Sequence, residues 1–226
     1  MLQRCAVSLA ILATCLSGQM RGQSSREVSL NALDKLKLQN VKTDLVTYQG
    51  VRALRVVDTA PAGVDDAGRL AIVEETSLQD GTIEVKIAGD TAPDAPPQQR
   101  GFVGIAFRVT DTSHFECFYI RPKNGRSEDQ LQRNHSTQYI SIPGFPWDKL
   151  RSETPGKYES YVDLIPGQWT TIKIKVVGKT ARLFVNGADQ PTLIVSDLKQ
   201  PVAKGAIALW VGPGTIAHFA DLKTGP

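Results

Sequence analysis

Phe102-Val-Gly-Ile-Ala-Phe-Arg-Val109, the turn Asp111-Thr-Ser113 and then His114-Phe-Glu-Cys-Phe-Tyr-Ile-Arg121 decide how this chain folds. Alternate side chains of a strand point to opposite faces. Both arms carry apolar residues on both faces, which predicts a hairpin at the centre of a sheet. Past Arg121 the character changes. Pro122 to Gly125 is turn sequence, and the run from Asn124 to Gln138 holds few residues able to build a core. Arg121, Asn124, Arg126, Arg133, Asn134, His135 and Gln138 put guanidinium forks, amides and an imidazole together at a density suited to a hydroxyl-rich or anionic ligand. The bland alternative is a solvated loop whose charges pair with one another.

The flanking sequence is also β. Leu45–Tyr48 and Val51–Val57 form a hairpin about Gln49-Gly50, and Thr59 to Gly68 is a loop by its Pro, Gly and Asp content. Leu70–Val73 and Gly81–Ile87 are the next strands, the latter with Ile83, Val85 and Ile87 on one face. Gly89 to Arg100 is a loop rich in proline. Beyond the central hairpin, Gln138–Ile142 alternates, which predicts Ile140 and Ile142 inward and Tyr139 facing away. Pro143–Trp147 reads as a turn carrying two aromatics, and Tyr158–Leu164 as a strand with Glu159, Tyr161 and Asp163 on a common face. Trp169–Val177 and Ala181–Val185 pair through Gly178-Lys179, and Asn186-Gly187 marks a tight turn. Leu193–Val195, Gly205–Val211 and Ile216–Leu222 complete the set. Trp169 and Trp210 lie among Ile, Leu and Val, so both are assigned to core packing. Roughly a dozen short strands without a long helix predict an all-β fold, a two-sheet antiparallel jelly-roll sandwich.

Composition narrows the classes. Of 226 residues, 41% are hydrophobic and 22% charged, ordinary values for one globular domain. The formal charge of +3 is small and no Lys/Arg block occurs, which argues against nucleic acid. Met1–Arg4 is positive, Cys5 to Leu16 is a short apolar run, and Ser17-Gly-Gln19 is small and polar. That pattern predicts a signal peptide over residues 1–22, too short for a membrane span, and a secreted or periplasmic domain over 23–226. Leu12-Ala-Thr-Cys15 approaches a bacterial lipoprotein box, but Thr14 fits poorly before the cysteine, so lipid anchoring at Cys15 is the lesser alternative. Cleavage leaves Cys117 alone, with no intramolecular disulfide. Cys117 sits in an apolar strand and reads as a small buried hydrophobe.

Gly101-Phe-Val-Gly-Ile-Ala-Phe-Arg108 followed by Phe115-Glu-Cys-Phe-Tyr-Ile-Arg-Pro122 resembles the middle strands of the concanavalin A-like lectin/glucanase superfamily. Gly81-Thr-Ile-Glu-Val85, Trp169-Thr-Thr-Ile-Lys-Ile174, Ala181-Arg-Leu-Phe-Val-Asn-Gly187 and the closing Gly205–Val211 and His218–Leu222 pieces look like its laminin G-type branch, in that order. The match covers most of residues 27–223. The resemblance implies a jelly roll with one concave and one convex sheet, the concave face and its rim loops often taking carbohydrate. Members range from binding modules to glycosidases, among them a secreted family acting on 3-keto-glycosides. Related jelly rolls often hold a structural calcium, and Asp221 is the matching residue; no other cofactor is implied.

The catalytic signatures are weak. Glycosidases commonly need two carboxyl groups flanking one bond, and the superfamily's Glu-x-Asp-x-x-Glu run is absent, since Glu116 is followed by Cys, Phe, Tyr, Ile and Arg. Glu116 with Asp129 or Glu159 from other strands is the remaining candidate set. There is no Gly-x-Ser-x-Gly elbow and no His-Glu-x-x-His helix. The three histidines, 114, 135 and 218, are isolated from one another. For binding, Tyr119, Tyr139 and Trp147 offer aromatic faces for sugar rings. The expectation is therefore a secreted jelly roll binding a glycan, acidic or keto-bearing, on its concave face and rim loop through Tyr119, Arg121, Asn124, Arg126, Arg133, Asn134, His135, Gln138, Tyr139 and Trp147. A glycoside hydrolase and a laminin G-type module with a protein partner are the alternatives.

Overall fold

The computed structural model describes residues 25–61 and 68–226. The signal-peptide and Cys15 expectations lie outside the described residues, as does most of the expected loop from Thr59 to Gly68. In chain order the strands begin with β1 (Arg26–Glu27), β2 (Leu36–Gln39), β3 (Val41–Tyr48), β4 (Val51–Asp58) and β5 (Leu70–Leu78). They continue with β6 (Gly81–Thr91), β7 (Val103–Asp111), β8 (His114–Ile120) and, after the short helix α1 (Gln130–Asn134), β9 (Thr137–Ile142). Helix α2 (Trp147–Glu153) precedes β10 (Glu159–Ser160), β11 (Thr170–Val177), β12 (Thr180–Val185), β13 (Leu193–Val195), β14 (Gly205–Val211) and β15 (Thr215–Gly225).

These strands make two antiparallel sheets. The first runs β13-β12-β11-β6-β15-β4-β3, with β1 paired to β15; the second runs β10-β9-β8-β7-β14-β5-β2. Ile83, Val85, Ile87, Ile172 and Ile174 of the first sheet meet Ile105, Phe107, Phe118, Tyr139 and Leu209 of the second in one continuous core. Burying one face of each sheet is what holds a sandwich together.

The second sheet also packs on its other face. Leu70, Ile72, Ala106, Phe115, Cys117, Tyr119, Ile140, Ala208 and Trp210, all from this sheet, form a separate buried cluster on the side away from the first sheet. This explains why neither arm of the β7–β8 hairpin has a polar face. Burial holds the Cys117 thiol well above its ordinary pKa, with the nearby Glu116 charge adding to the effect, so the thiol is inert at neutral pH.

One orientation differs from expectation. Tyr139 points into the inter-sheet core while Ile140 belongs to the outer cluster, so the inward and outward assignments of β9 are exchanged. Trp210 is packed in a buried core, as expected, within the outer-face cluster. Hydrophobicity cannot say which face is which when both are buried. The expected strand over 158–164 contracts to Glu159–Ser160, and the expected turn at 143–147 leads directly into α2. Seven residues are too few to reveal a helical period in sequence. Among the described residues no helix is long and apolar enough to cross a membrane.

Candidate functional site

The site grows from one row of residues across the second sheet. In register, Leu70 pairs Trp210, Trp210 pairs Gly104, Gly104 pairs Tyr119, Tyr119 pairs Gln138, and Gln138 pairs Glu159. Directly opposed residues share a face, so the row lies on the outer side. Gly104 matters here. A Cβ at this position would meet the Phe118 carbonyl oxygen at 2.2 Å and the Tyr119 Cβ at 2.5 Å. The gap lets the Tyr119 and Trp210 rings meet across it, with centroids 4.6 Å apart.

At the β10 end of the row, Arg121 joins everything together. It is 4% exposed. Its Nη1 donates to the His135 carbonyl at 2.8 Å and to Glu159 Oε1 at 3.2 Å, and its Nη2 donates to Tyr119 Oη at 2.9 Å and Gln138 Oε1 at 3.0 Å. Its guanidinium carbon also lies 5.3 Å from the Phe102 ring centroid and 5.0 Å from that of Tyr119. Glu159 receives a second arginine from α2. Arg151 Nε donates to Glu159 Oε2 at 3.0 Å, and Arg151 Nη2 donates to Oε1. His135 Nε2 stands 3.5 Å from the other side of the same carboxylate.

The electrostatics follow from that convergence. Burial alone would push the Glu159 carboxyl up, but the hydrogen bonds from Arg151 and the charges of Arg121 and Arg151 overcome it and hold the group below its ordinary value. Glu159 is therefore ionised at neutral pH. His135 is held below the ordinary imidazole value, by burial first and then by the two arginine charges against the opposing pull of Glu159. It is neutral at pH 7.

In front of this cluster opens a cavity of about 470 Å³. Gln98, Gln99 and Arg100 of the loop before β7 form one wall, and Asp129, Leu131 and Gln132 at α1 form another. Phe102, Arg121, Asn124, His135, Trp147 and Arg151 supply the remainder. Three arginines stand against Asp129 and Glu159, leaving one positive charge in excess. Two aromatic side chains beside guanidinium, amide and imidazole groups are the ingredients of a site for a polyhydroxylated ligand. Asn124 is 4% exposed; its Nδ2 donates to the His135 carbonyl at 3.2 Å, and its Oδ1 has no protein donor among the described residues.

Of the residues expected in a binding site, Arg121, Asn124, His135 and Trp147 line this cavity. Tyr119 and Gln138 stand behind it, holding Arg121. The others lie elsewhere. Arg126 is exposed and pairs with Asp163 at 2.7 Å, and Arg133 reaches the Tyr161 hydroxyl at 3.2 Å and lies over that ring. Asn134 accepts from Gln130 at 2.7 Å on the exposed side of α1. Tyr139 is in the inter-sheet core, because β9 presents its odd-numbered residues inward.

The carboxylates expected as catalytic candidates are each engaged structurally. Glu116 is fully buried on the inter-sheet side, accepting from the Tyr139 hydroxyl and from the Gln200 amide at 2.9 Å. That placement removes it from any ligand in the cavity. Asp129 caps α1, accepting from the Leu131 and Gln132 amides at 2.8 and 3.2 Å. Glu159 is clamped by Arg121 and Arg151. Asp221 is paired with Lys86 at 2.8 Å, and among the described residues no group of three or more His, Cys, Asp or Glu is placed to hold a metal ion. Gln98, Gln99, Arg100, Phe102, Leu131, Gln132 and Arg151 were not legible as site residues. Arg100 and Phe102 flank the start of the central hairpin, which was the one available signal; Arg151 gave none, because α2 itself was not expected.

By sequence the chain matches no protein-family model and no curated protein. Solved structures do resemble it. Carbohydrate binding module CBM66 from Bacillus subtilis superposes with a TM-score of 0.53 at 12% identity, over 84% of this chain and 98% of the module. A Bacillus subtilis protein of unknown function with a galectin-like fold gives 0.55 at 12% identity, over 89% of this chain and 98% of its own. At such identity the likeness speaks to the fold. The chain has a two-sheet antiparallel sandwich fold, shared with these structures.

Proposed function

We propose that this protein is a secreted carbohydrate-binding domain that takes a glycan in the cavity before Arg121 and Glu159. The observation that carries the reading is the cavity itself. Its volume of about 470 Å³ is within the range of small-molecule sites, and it joins Phe102 and Trp147 to convergent polar groups. The likeness of fold to a carbohydrate binding module supports the same reading. One positive charge in excess favours a sugar bearing a carboxylate, or a keto oxygen able to accept from a guanidinium.

The test is a glycan array paired with a hydrolysis assay on every hit. Binding without turnover is the expected outcome, with affinity about tenfold or more weaker when Trp147 is replaced by Ala. Turnover that disappears in Glu159→Gln would instead make the protein a glycoside hydrolase. Silence on every glycan, with capture of a defined protein ligand, would point to a laminin G-type interaction module and overturn the carbohydrate reading.

A further inference from the structure

The three arginines of the cavity are not equivalent. Arg121 has four hydrogen bonds from its two Nη atoms to protein acceptors and is 4% exposed, so it is part of the frame. Arg100 Nη1 donates to the Pro97 carbonyl at 2.7 Å and the Gln99 carbonyl at 3.2 Å. With the Gln132 amide oriented to satisfy its neighbours, that side chain's oxygen accepts from Arg100 Nε and Nη2, each at 3.1 Å. Arg151 differs. It presents its Nε–Nη2 edge to Glu159, its guanidinium carbon lies 4.6 Å from the Trp147 ring centroid, and its Nη1 has no protein acceptor among the described residues. Its side chain is 31% exposed, against 2% for Glu159.

We infer that Arg151 is the cation that grips the ligand, that Glu159 is the positioning residue which holds it ready, and that the ligand is an acidic sugar whose carboxylate accepts from Arg151. The inference rests on the carbohydrate reading and deepens it. The physical reason is pre-organisation. A free arginine loses rotamer freedom when it binds, whereas one already fixed by a carboxylate on one edge and an aromatic face beneath loses little. Glu159 spans the gap because the sheet register puts it at the end of the Tyr119–Gln138 row, next to the strand end that carries Arg121. It reaches both arginines without lining the cavity.

Simple electrostatics gives the opposite expectation. If Glu159 merely dilutes positive charge, Glu159→Gln should bind an acidic sugar more tightly. If Glu159 positions Arg151, the same substitution should bind it more weakly. The sign decides.

The experiment is calorimetric titration of the full domain with two probe pairs. Each pair is an oligosaccharide ending in glucuronate or galacturonate and the same oligosaccharide after carboxyl reduction to the neutral sugar. The wild type is expected to prefer the acidic member of a pair by about tenfold or more, as charge-assisted hydrogen bonds do. Arg151→Met should abolish the preference, the acidic-probe affinity falling to that of the neutral probe. Arg151→Lys, which keeps the charge but not the fork, should retain a reduced preference. Glu159→Gln should lower the acidic-to-neutral affinity ratio about tenfold, and Glu159→Asp should restore part of it. A merely structural Glu159 would change the melting temperature and leave the acidic-to-neutral ratio alone. Should Glu159→Gln fail to fold, the two Arg151 variants still decide the matter, since that side chain is partly exposed. Tighter acidic binding by Glu159→Gln, or an acid preference that survives Arg151→Met, would overturn the inference. Equal wild-type affinity for both members of each pair sinks it while leaving carbohydrate binding standing; no binding to either pair or to any arrayed glycan removes both.

Discussion

Tyr119 and Trp210 stand on strands two apart in the second sheet, yet their rings pack with centroids 4.6 Å apart because Gly104 lies between them. The contact matters beyond its own area, since Tyr119 Oη accepts from Arg121 and so ties the aromatic row to the candidate site.

Gly104→Ala is therefore expected to be costly. The added methyl would meet backbone and Cβ atoms at 2.2–2.6 Å, none of them at the end of a flexible side chain. Overpacking at a strand centre should lower stability by about 3 kcal/mol. Chemical denaturation checks this, and a loss under about 1 kcal/mol would mean the sheet yields more readily than close packing implies.

Glu116 offers a control for the hydrolase alternative. Its carboxyl is raised above the ordinary value, by burial first, with the hydrogen bonds from Tyr139 and Gln200 opposing. A raised carboxyl stabilises the fold below its ordinary pKa and loses that contribution as pH rises through the folded value. Glu116→Gln mimics the protonated form. It should match or exceed wild-type stability at pH 7, flatten the decline above pH ~4.5, and leave glycan binding unchanged. Glu116→Ala, which strips the Tyr139 hydroxyl and Gln200 amide of their acceptor, should cost about 3 kcal/mol. Loss of glycan binding in a well-folded Glu116→Gln would contradict its inter-sheet placement.

His218 predicts a second pH dependence. Its imidazole stacks on Tyr48 with centroids 3.7 Å apart, and its pKa falls from 6.5 to about 4, through burial first and then the Arg55 charge. A depressed histidine stabilises the fold above its unfolded value and loses that contribution as pH drops through the folded one. Stability should fall between about pH 6.5 and 4, by on the order of 2 kcal/mol from this group. His218→Phe keeps a ring on Tyr48 and should flatten that window in thermal melts. An unchanged slope in His218→Phe would assign the dependence to other groups.

Asp197 acts on a lower pH range. Lys157 Nζ, Lys199 Nζ and the Tyr158 hydroxyl each donate to its Oδ2, at 2.8, 2.8 and 2.7 Å. Burial would raise this carboxyl, but those hydrogen bonds and the Lys199 charge hold it well below the ordinary range. Its contribution is present above the unfolded value and is lost as pH falls below it. Asp197→Asn should lower stability at pH 7 and make the acid limb of the stability curve shallower. Circular dichroism melts from neutral to strongly acidic pH give the comparison, and superimposable curves would show that the lysines are held by something else.

Trp147→Ala separates binding from folding. The ring is half-buried and carries Arg151, so its removal should cost about 1–2 kcal/mol of stability. Glycan affinity should fall about tenfold or more, because both a stacking face and the platform under Arg151 disappear. Intact binding by this variant would move the sugar away from the cavity.

The β pattern, the central place of the β7–β8 hairpin and the polar character of residues 121–138 were all legible from the chain, because strand alternation and turn residues are local properties. Arg121, Asn124, His135 and Trp147 were recognisable as site candidates for the same reason: residue type announces chemistry. What residue type cannot announce is the partner. Arg126 and Arg133 look like Arg121 in sequence, yet exposed partners at Asp163 and Tyr161 hold them on another surface. The inward turn of Tyr139 was hidden because both faces of its sheet are packed, which erases the polar side that would have set the phase. Glu159 and Arg151 drew their roles from pairings across strand and helix, 38 and 8 residues apart in sequence from the groups they meet. Such distances carry no period for a reader of sequence to detect. The sequence determined a sandwich with a polar rim; the register of six strands decided which carboxylate stands behind which arginine.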